Sequence, residues 1–116
     1  MNTKIIGDIA VVNSETPLIT DGQSALDLIV SLFYEHKITK IAVNKAAVSE
    51  DFFRLSTGLA GEVAQKFVNY RCRLVIFGDF SGYTSKPLRD YIYECNNGRH
   101  LNFAADENEA MQKLGG

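Results

Sequence analysis

The run Leu74-Val75-Ile76-Phe77, flanked by Arg73 and by Gly78-Asp79, most constrains how this chain folds. Four consecutive large apolar residues have no polar side to turn towards water, which is the pattern of a strand covered on both faces. A segment of helical period stands on each side of it. In the preceding one, Leu59, Val63 and Phe67, with Ala60, Ala64 and Val68 alongside, form one apolar face opposite Glu62, Gln65, Lys66 and Asn69. A strand entered and left through helices implies parallel βαβ crossovers, and the run is the natural choice for the centre of the sheet.

The remaining elements follow from the same reasoning. The segment KIIGDIAVV alternates as two short strands joined at Gly7-Asp8, an N-terminal hairpin. Leu18-Ile19 adds a few paired residues, and Thr20 with Gln23 has capping-box spacing ahead of a helix that begins near Gly22. Ala25, Leu28, Ile29, Leu32 and Phe33 give that helix one buried stripe through about His36. KIAVNK supplies a strand and SEDFFRL a brief helical turn capped by Ser49. A third helix runs from Lys86 to Cys95, with Pro87 in its first turn and Gly98 ending it. HLNFAA is the last strand, with Leu101 and Phe103 on one face, and Asp106 with Glu109 opens a last helix through Leu114. The expected fold is α/β: a mixed sheet of four to five strands with an N-terminal hairpin, parallel crossovers and four main helices.

At 116 residues the chain fits a single domain spanning 1–116. A formal charge of −2 offers no overall attraction for phosphate backbones or anionic lipid, so nucleic-acid and membrane partners are not expected. No apolar run approaches 18 residues and no secretory signal pattern follows Met1, which points to the cytoplasm. Cys72 and Cys95 lack disulfide-scaffold or C-x-x-C spacing and read as reduced thiols.

If the strands at KIAVN, LVIFG and NFAA are parallel, the loops leaving their carboxyl ends meet at one edge. Asn44, Lys45, Ser56, Thr57, Asp79, Ser81, Tyr83, Thr84, Ser85 and Lys86 would gather there. Ser56 or Thr57 can cap the helix that follows. Gly58 leaves backbone N–H groups unobstructed, so a phosphate, bound or covalently attached, suits that helix start. An ordinary cap with a close-packing glycine accounts for the same residues. In GDFSGYTSKPLRDY, Thr84 or Ser85 can cap the third helix, and Lys86 and Arg89 put positive charge in or near its first turn, where a dipole favours acids. The spacing is not that of a Walker A loop. Neither His36 nor His100 has a neighbour at metal-ligand or triad spacing, so no catalytic residue, metal or cofactor is assigned.

The stretch LSTGLAGEVAQKF resembles the Ser-Thr-Gly-Leu opening of the second helix in anti-sigma-factor antagonists, the STAS fold. That resemblance implies a hydroxyl phosphorylated by a partner kinase that is also an anti-sigma factor, at Ser56 or Thr57, with Gly58 and Leu59 completing the motif. Leu55 stands where that family usually has Asp. From Lys4 to Leu114 the chain is also similar to the bacterial domain-of-unknown-function family 4180, in QSALDLI, EDFFRLSTGLAGE, QKFVNYR, GDFSGYTSK and YIYE. No activity is attached to that family.

The expected function is a non-enzymatic regulatory or protein-interaction module switched by phosphorylation at Ser56 or Thr57, its surface built from those residues with Gly58, Asp79, Ser81 and Lys86. The partner implied by the STAS resemblance is a kinase or sigma-factor regulator. The alternative is a small anionic ligand or nucleotide held in the same crevice by Lys86 and Arg89, with Asp79 as acid or base. A third reading is a subunit that pairs with a copy of itself.

Overall fold

Gly7 adopts a left-handed φ of 61°, and on either side of it β1 (Asn2–Ile6) and β2 (Ile9–Asn13) pair antiparallel. The computed structural model describes residues 1–115. β2 then pairs in parallel with β3 (Lys40–Asn44), β3 with β4 (Arg73–Phe77), and β4 with β5 (Leu101–Ala104), giving one sheet in the order β1-β2-β3-β4-β5. The α/β class, the hairpin and the parallel crossovers are as the sequence indicates. The run at 74–77 forms β4, which is paired on both sides, but the middle place belongs to β3.

Four helices connect and cover these strands: α1 (Gly22–His36), α2 (Leu59–Asn69), α3 (Lys86–Asn96) and α4 (Glu107–Gly115). Alternation along each strand sorts the core into two layers. Ala10, Val12, Ile41, Val43, Leu74, Ile76, Leu101 and Phe103 face α1, α2 and Leu88 of α3. Ile9, Val11, Ala42, Val75 and Ala104 face Ala110 and Leu114 of α4. No helix of the described residues is long and apolar enough to cross a membrane.

Two local expectations are corrected. The α1 capping box is made by Asp21 and Ser24 rather than Thr20 and Gln23. The Asp21 carboxylate accepts from Ser24 N–H at 2.7 Å and the Ser24 hydroxyl accepts from Asp21 N–H at 3.1 Å. Asp21 directly precedes the first helical residue, so its oxygen reaches the third N–H of the helix. The α1 stripe is fully buried at Ala25, Ile29 and Leu32 and partly at Leu28, but it stops short of Phe33, which is 44% exposed on the wall of a surface depression; Val68 of α2 is likewise exposed. The bridge between Ile19 and Val48 and the Ser49 cap of the Glu50–Phe53 turn match expectation.

Candidate functional site

The chain leaves β3 through three short helical turns, Lys45–Ala47, Glu50–Phe53 and Leu55–Thr57, before α2 begins. Phe52 and Phe53 are buried beneath this segment and hold it on the core. The Thr57 hydroxyl is engaged internally: its oxygen lies 2.7 Å from Asp51 O and 2.9 Å from Arg54 O, and it accepts from Leu59 N–H at 3.2 Å. Gly58, with φ 79°, occupies the cap position of α2, a left-handed conformation that suits glycine. Thr57 therefore supplies the capping oxygen from one residue further out. Ser56 does not cap; its side chain is exposed and makes no hydrogen bond among the described residues.

The loop after β4 packs against this segment. Gly78 is required there because a Cβ would stand 2.8 Å from Cβ of Lys45. The Lys45 ammonium donates to Asp79 O at 3.2 Å and sits 4.5 Å from the centre of the Tyr83 ring, a cation–π distance. Tyr83 in turn donates to the Glu50 carboxylate at 2.7 Å and stacks on Phe53 with centroids 5.0 Å apart. Phe80, Phe53 and Phe103 continue this aromatic floor. Asp79 accepts from the Ser81 hydroxyl at 2.6 Å and from Ser81 N–H at 2.9 Å, and these bonds hold its carboxyl below the usual carboxylate range.

The edge therefore gathers Asn44, Lys45, Asp79, Ser81 and Tyr83, with Ser56 and Thr57 on the adjoining turns. Asn44 is engaged in a two-way bond with the backbone of Ser14, at 2.8 and 2.7 Å, which ties the ends of β2 and β3. Lys86 and Arg89 are not part of the same crevice. With Thr84, Asp90 and Tyr93 they line a separate depression of about 390 Å³, and Lys86 is paired with Asp90 at 2.7 Å. Ser85 holds the cap position of α3, and neither its side chain nor that of Thr84 makes a capping bond. The crevice beside Asp79, between the ends of β4 and β5, is lined by Gly78, Phe80, Asn96, Phe103 and Glu109 and contains no cation.

Sequence reasoning missed Glu50 as the partner of Tyr83 and missed the aromatic floor. The pairs Phe52-Phe53 and Phe80/Tyr83 were visible as apolar residues, but only the folded loops reveal that they meet. Among the described residues no group of three His, Cys, Asp or Glu side chains is placed to hold a metal ion.

Residues 5–114 match the family model described as Domain of unknown function (DUF4180). The chain belongs to that family. The DUF4180 match takes in both strand-end loops and all four helices up to Leu114. Comparisons with curated proteins and with solved structures found no match.

Four acids of this DUF4180 chain titrate above their ordinary range. Burial raises the thiols of Cys72 and Cys95; burial, then the Glu50 carboxylate, raises Tyr83; burial, then Cys95, raises Tyr91. A neutral acid stabilised by folding contributes fully below its unfolded pKa and loses that contribution as pH rises, because the unfolded chain releases its proton first. Stability is therefore expected to be flat near neutrality and to fall above about pH 9, the ordinary thiol value. Urea titrations at stepped pH check this, with the tyrosinate absorbance of Tyr83 and Tyr91 appearing together with unfolding. A native protein that titrates them like free tyrosine overturns it.

Proposed function

We propose that the chain is a non-catalytic regulatory or protein-interaction module with a STAS-like architecture, acting in the bacterial cytoplasm and switched by phosphorylation of Ser56. The observation that carries this reading is the contrast between adjacent hydroxyls. Ser56 is exposed and unbonded, whereas Thr57 is engaged with Asp51 O, Arg54 O and Leu59 N–H. The sequential β-β-α-β-α-β-α-β-α order and the Leu55-Ser56-Thr57-Gly58 opening to α2 support the STAS-like part.

A kinase partner would direct the Ser56 oxygen onto the terminal phosphorus of a nucleoside triphosphate. The new O–P bond forms as the bond to the nucleoside diphosphate breaks, and the serine proton passes to a base on the kinase. The product adds about −1.5 to −2 charge beside the start of α2. Because the edge already exposes Asp79 and Glu50, that increment changes which surfaces are complementary to it. Asp79 is a weak base in its Ser81 bonds, which argues against acid–base catalysis here. The anionic-ligand alternative loses its common crevice, since Asp79 and the pair Lys86/Arg89 line different depressions.

The test compares pull-downs from the native host with wild-type, Ser56→Ala and Ser56→Asp protein, each verified as folded. Ser56→Asp should lose or exchange a partner that Ser56→Ala retains, with both melting near the wild type. Thr57→Ala should lower stability by about 1 kcal/mol through the lost cap, without changing partners. Identical partner sets for all three Ser56 forms sink the reading.

A further inference from the structure

The opposite end of the sheet, where β3, β4 and β5 begin, carries a different chemistry. Thr39, Lys40, Val68, Arg71, Arg73, Arg99 and His100 line a depression of about 490 Å³ there, with no carboxylate in its wall. Three of the five arginines in a chain of net charge −2 thus share one site. Register places Lys40 directly opposite Arg73 on neighbouring parallel strands, so two like charges stand side by side at this end of the sheet.

The available counter-charge is small. Lys40 pairs with Asp8 at 3.0 Å, but among the described residues no carboxylate lies within ion-pair distance of Arg71, Arg73 or Arg99. Arg73 is fixed instead by carbonyls, donating from Nε to Arg99 O at 3.1 Å and from Nη2 to Lys113 O at 2.9 Å. Burial and the neighbouring Arg99 charge lower its pKa, as expected where cations face one another. His100 Nδ1 lies 3.1 Å from Cys72 O, which makes Nδ1 the protonated nitrogen. Arg71 has a left-handed φ of 55°, a conformation in which glycine would be less strained. The dipole of α2 favours a cation at that position, yet it does not account for Arg73, Arg99 and Lys40 at the strand starts.

A second depression of about 310 Å³ shares Thr39 with the first and is lined by Ile29, Val30, Phe33, Tyr34, Tyr70 and Cys72. Its aromatic wall is open to solvent, with Tyr34 73% and Tyr70 51% exposed, and Lys37 stands 5.1 Å from the Phe33 ring centre. We infer that the arginine-lined depression binds the phosphoryl group of a small phosphorylated molecule, whose apolar or aromatic part lies against Phe33, Tyr34 and Tyr70. Guanidinium groups from the turn before β4 (Arg71), the start of β4 (Arg73) and the loop before β5 (Arg99) match the several oxygens of one phosphoryl group better than a single lysine would.

Binding of pyrophosphate and of phenyl phosphate to the full chain, followed by calorimetry and by thermal shift, tests this inference. Both should bind saturably at low salt and more weakly as salt rises, and phenyl phosphate should bind more tightly than inorganic phosphate. Arg71→Gly removes a cation while relieving the left-handed strain, and with Arg99→Gln it should weaken binding about tenfold or more. Lys4→Gln, the same charge change on β1, should leave binding intact. Equal binding by all variants, no saturable binding of either probe, or capture by anionic phospholipid vesicles that pyrophosphate does not compete away would overturn it.

Discussion

Phe52→Ala is expected to remove about 3–5 kcal/mol of folding free energy, a large part of what a domain of this size possesses. The side chain is fully buried and packs on the strand residue Phe103 and on its neighbour Phe53, with ring centroids 6.3 and 5.1 Å away. Together with Phe53 it fastens the turn Glu50–Phe53, whose local support is the Ser49 cap and a few backbone bonds. Because the Thr57 hydroxyl bonds to Asp51 O on that turn, the cavity would also loosen the platform that presents Ser56. Urea unfolding should show a lower midpoint at unchanged slope, and Phe52→Leu should cost less, about 1–1.5 kcal/mol. A loss below about 1 kcal/mol for the alanine variant would mean that the turn is held by something else.

Leu114→Ala is the second large effect, expected at about 2–5 kcal/mol. Among the described residues α4 is the one helix on its face of the sheet, and Ala110 and Leu114 are its fully buried side chains. The ion pair between Lys4 and Glu107, at 2.8 Å, also links α4 to the hairpin, but both partners are partly exposed and such pairs contribute little. Docking therefore depends on Leu114 far more than on Glu107. Denaturant titrations of Leu114→Ala and Glu107→Ala should differ by more than about 1.5 kcal/mol, and the leucine variant should bind a hydrophobic dye through exposed Val11, Ala42 and Val75. Equal small losses would show that α4 is secured by backbone and polar contacts instead.

Much of the architecture was legible because its signals are local. Gly7 at a two-residue turn, the α2 face and the unbroken run Leu74–Phe77 each act within a few neighbouring positions. The placing of β4 at the centre failed because burial on both faces is common to every interior strand, and the run does not encode which neighbours flank it. The α1 box was misassigned by one residue, since Thr20 and Asp21 are both competent acceptors and only the helix start decides between them.

The candidate site was legible in composition and not in wiring. Ser56 and Thr57 are equivalent on the page until the Thr57 oxygen reaches back to Asp51, a consequence of how two short turns fold over Phe52. Lys86 and Arg89 lie near Asp79 in sequence but line another depression once α3 turns. The basic pocket was missed altogether, because Lys40, Arg71, Arg73, Arg99 and His100 are scattered over three segments and no spacing in the sequence links them. Strand register brings Lys40 beside Arg73, and no short motif records that.

The strictly sequential strand order also bears on how the protein is made. Each new strand joins the one synthesised just before it, so the hydrogen-bond ladder can grow in the order of emergence from the ribosome, although every step after the hairpin must first close a long helical crossover. The layer beneath is a different matter. Ile9, Val11, Ala42 and Val75 assemble early, yet their cover arrives only with α4, leaving a greasy underside bare to chaperones and sister chains until translation has passed Leu114.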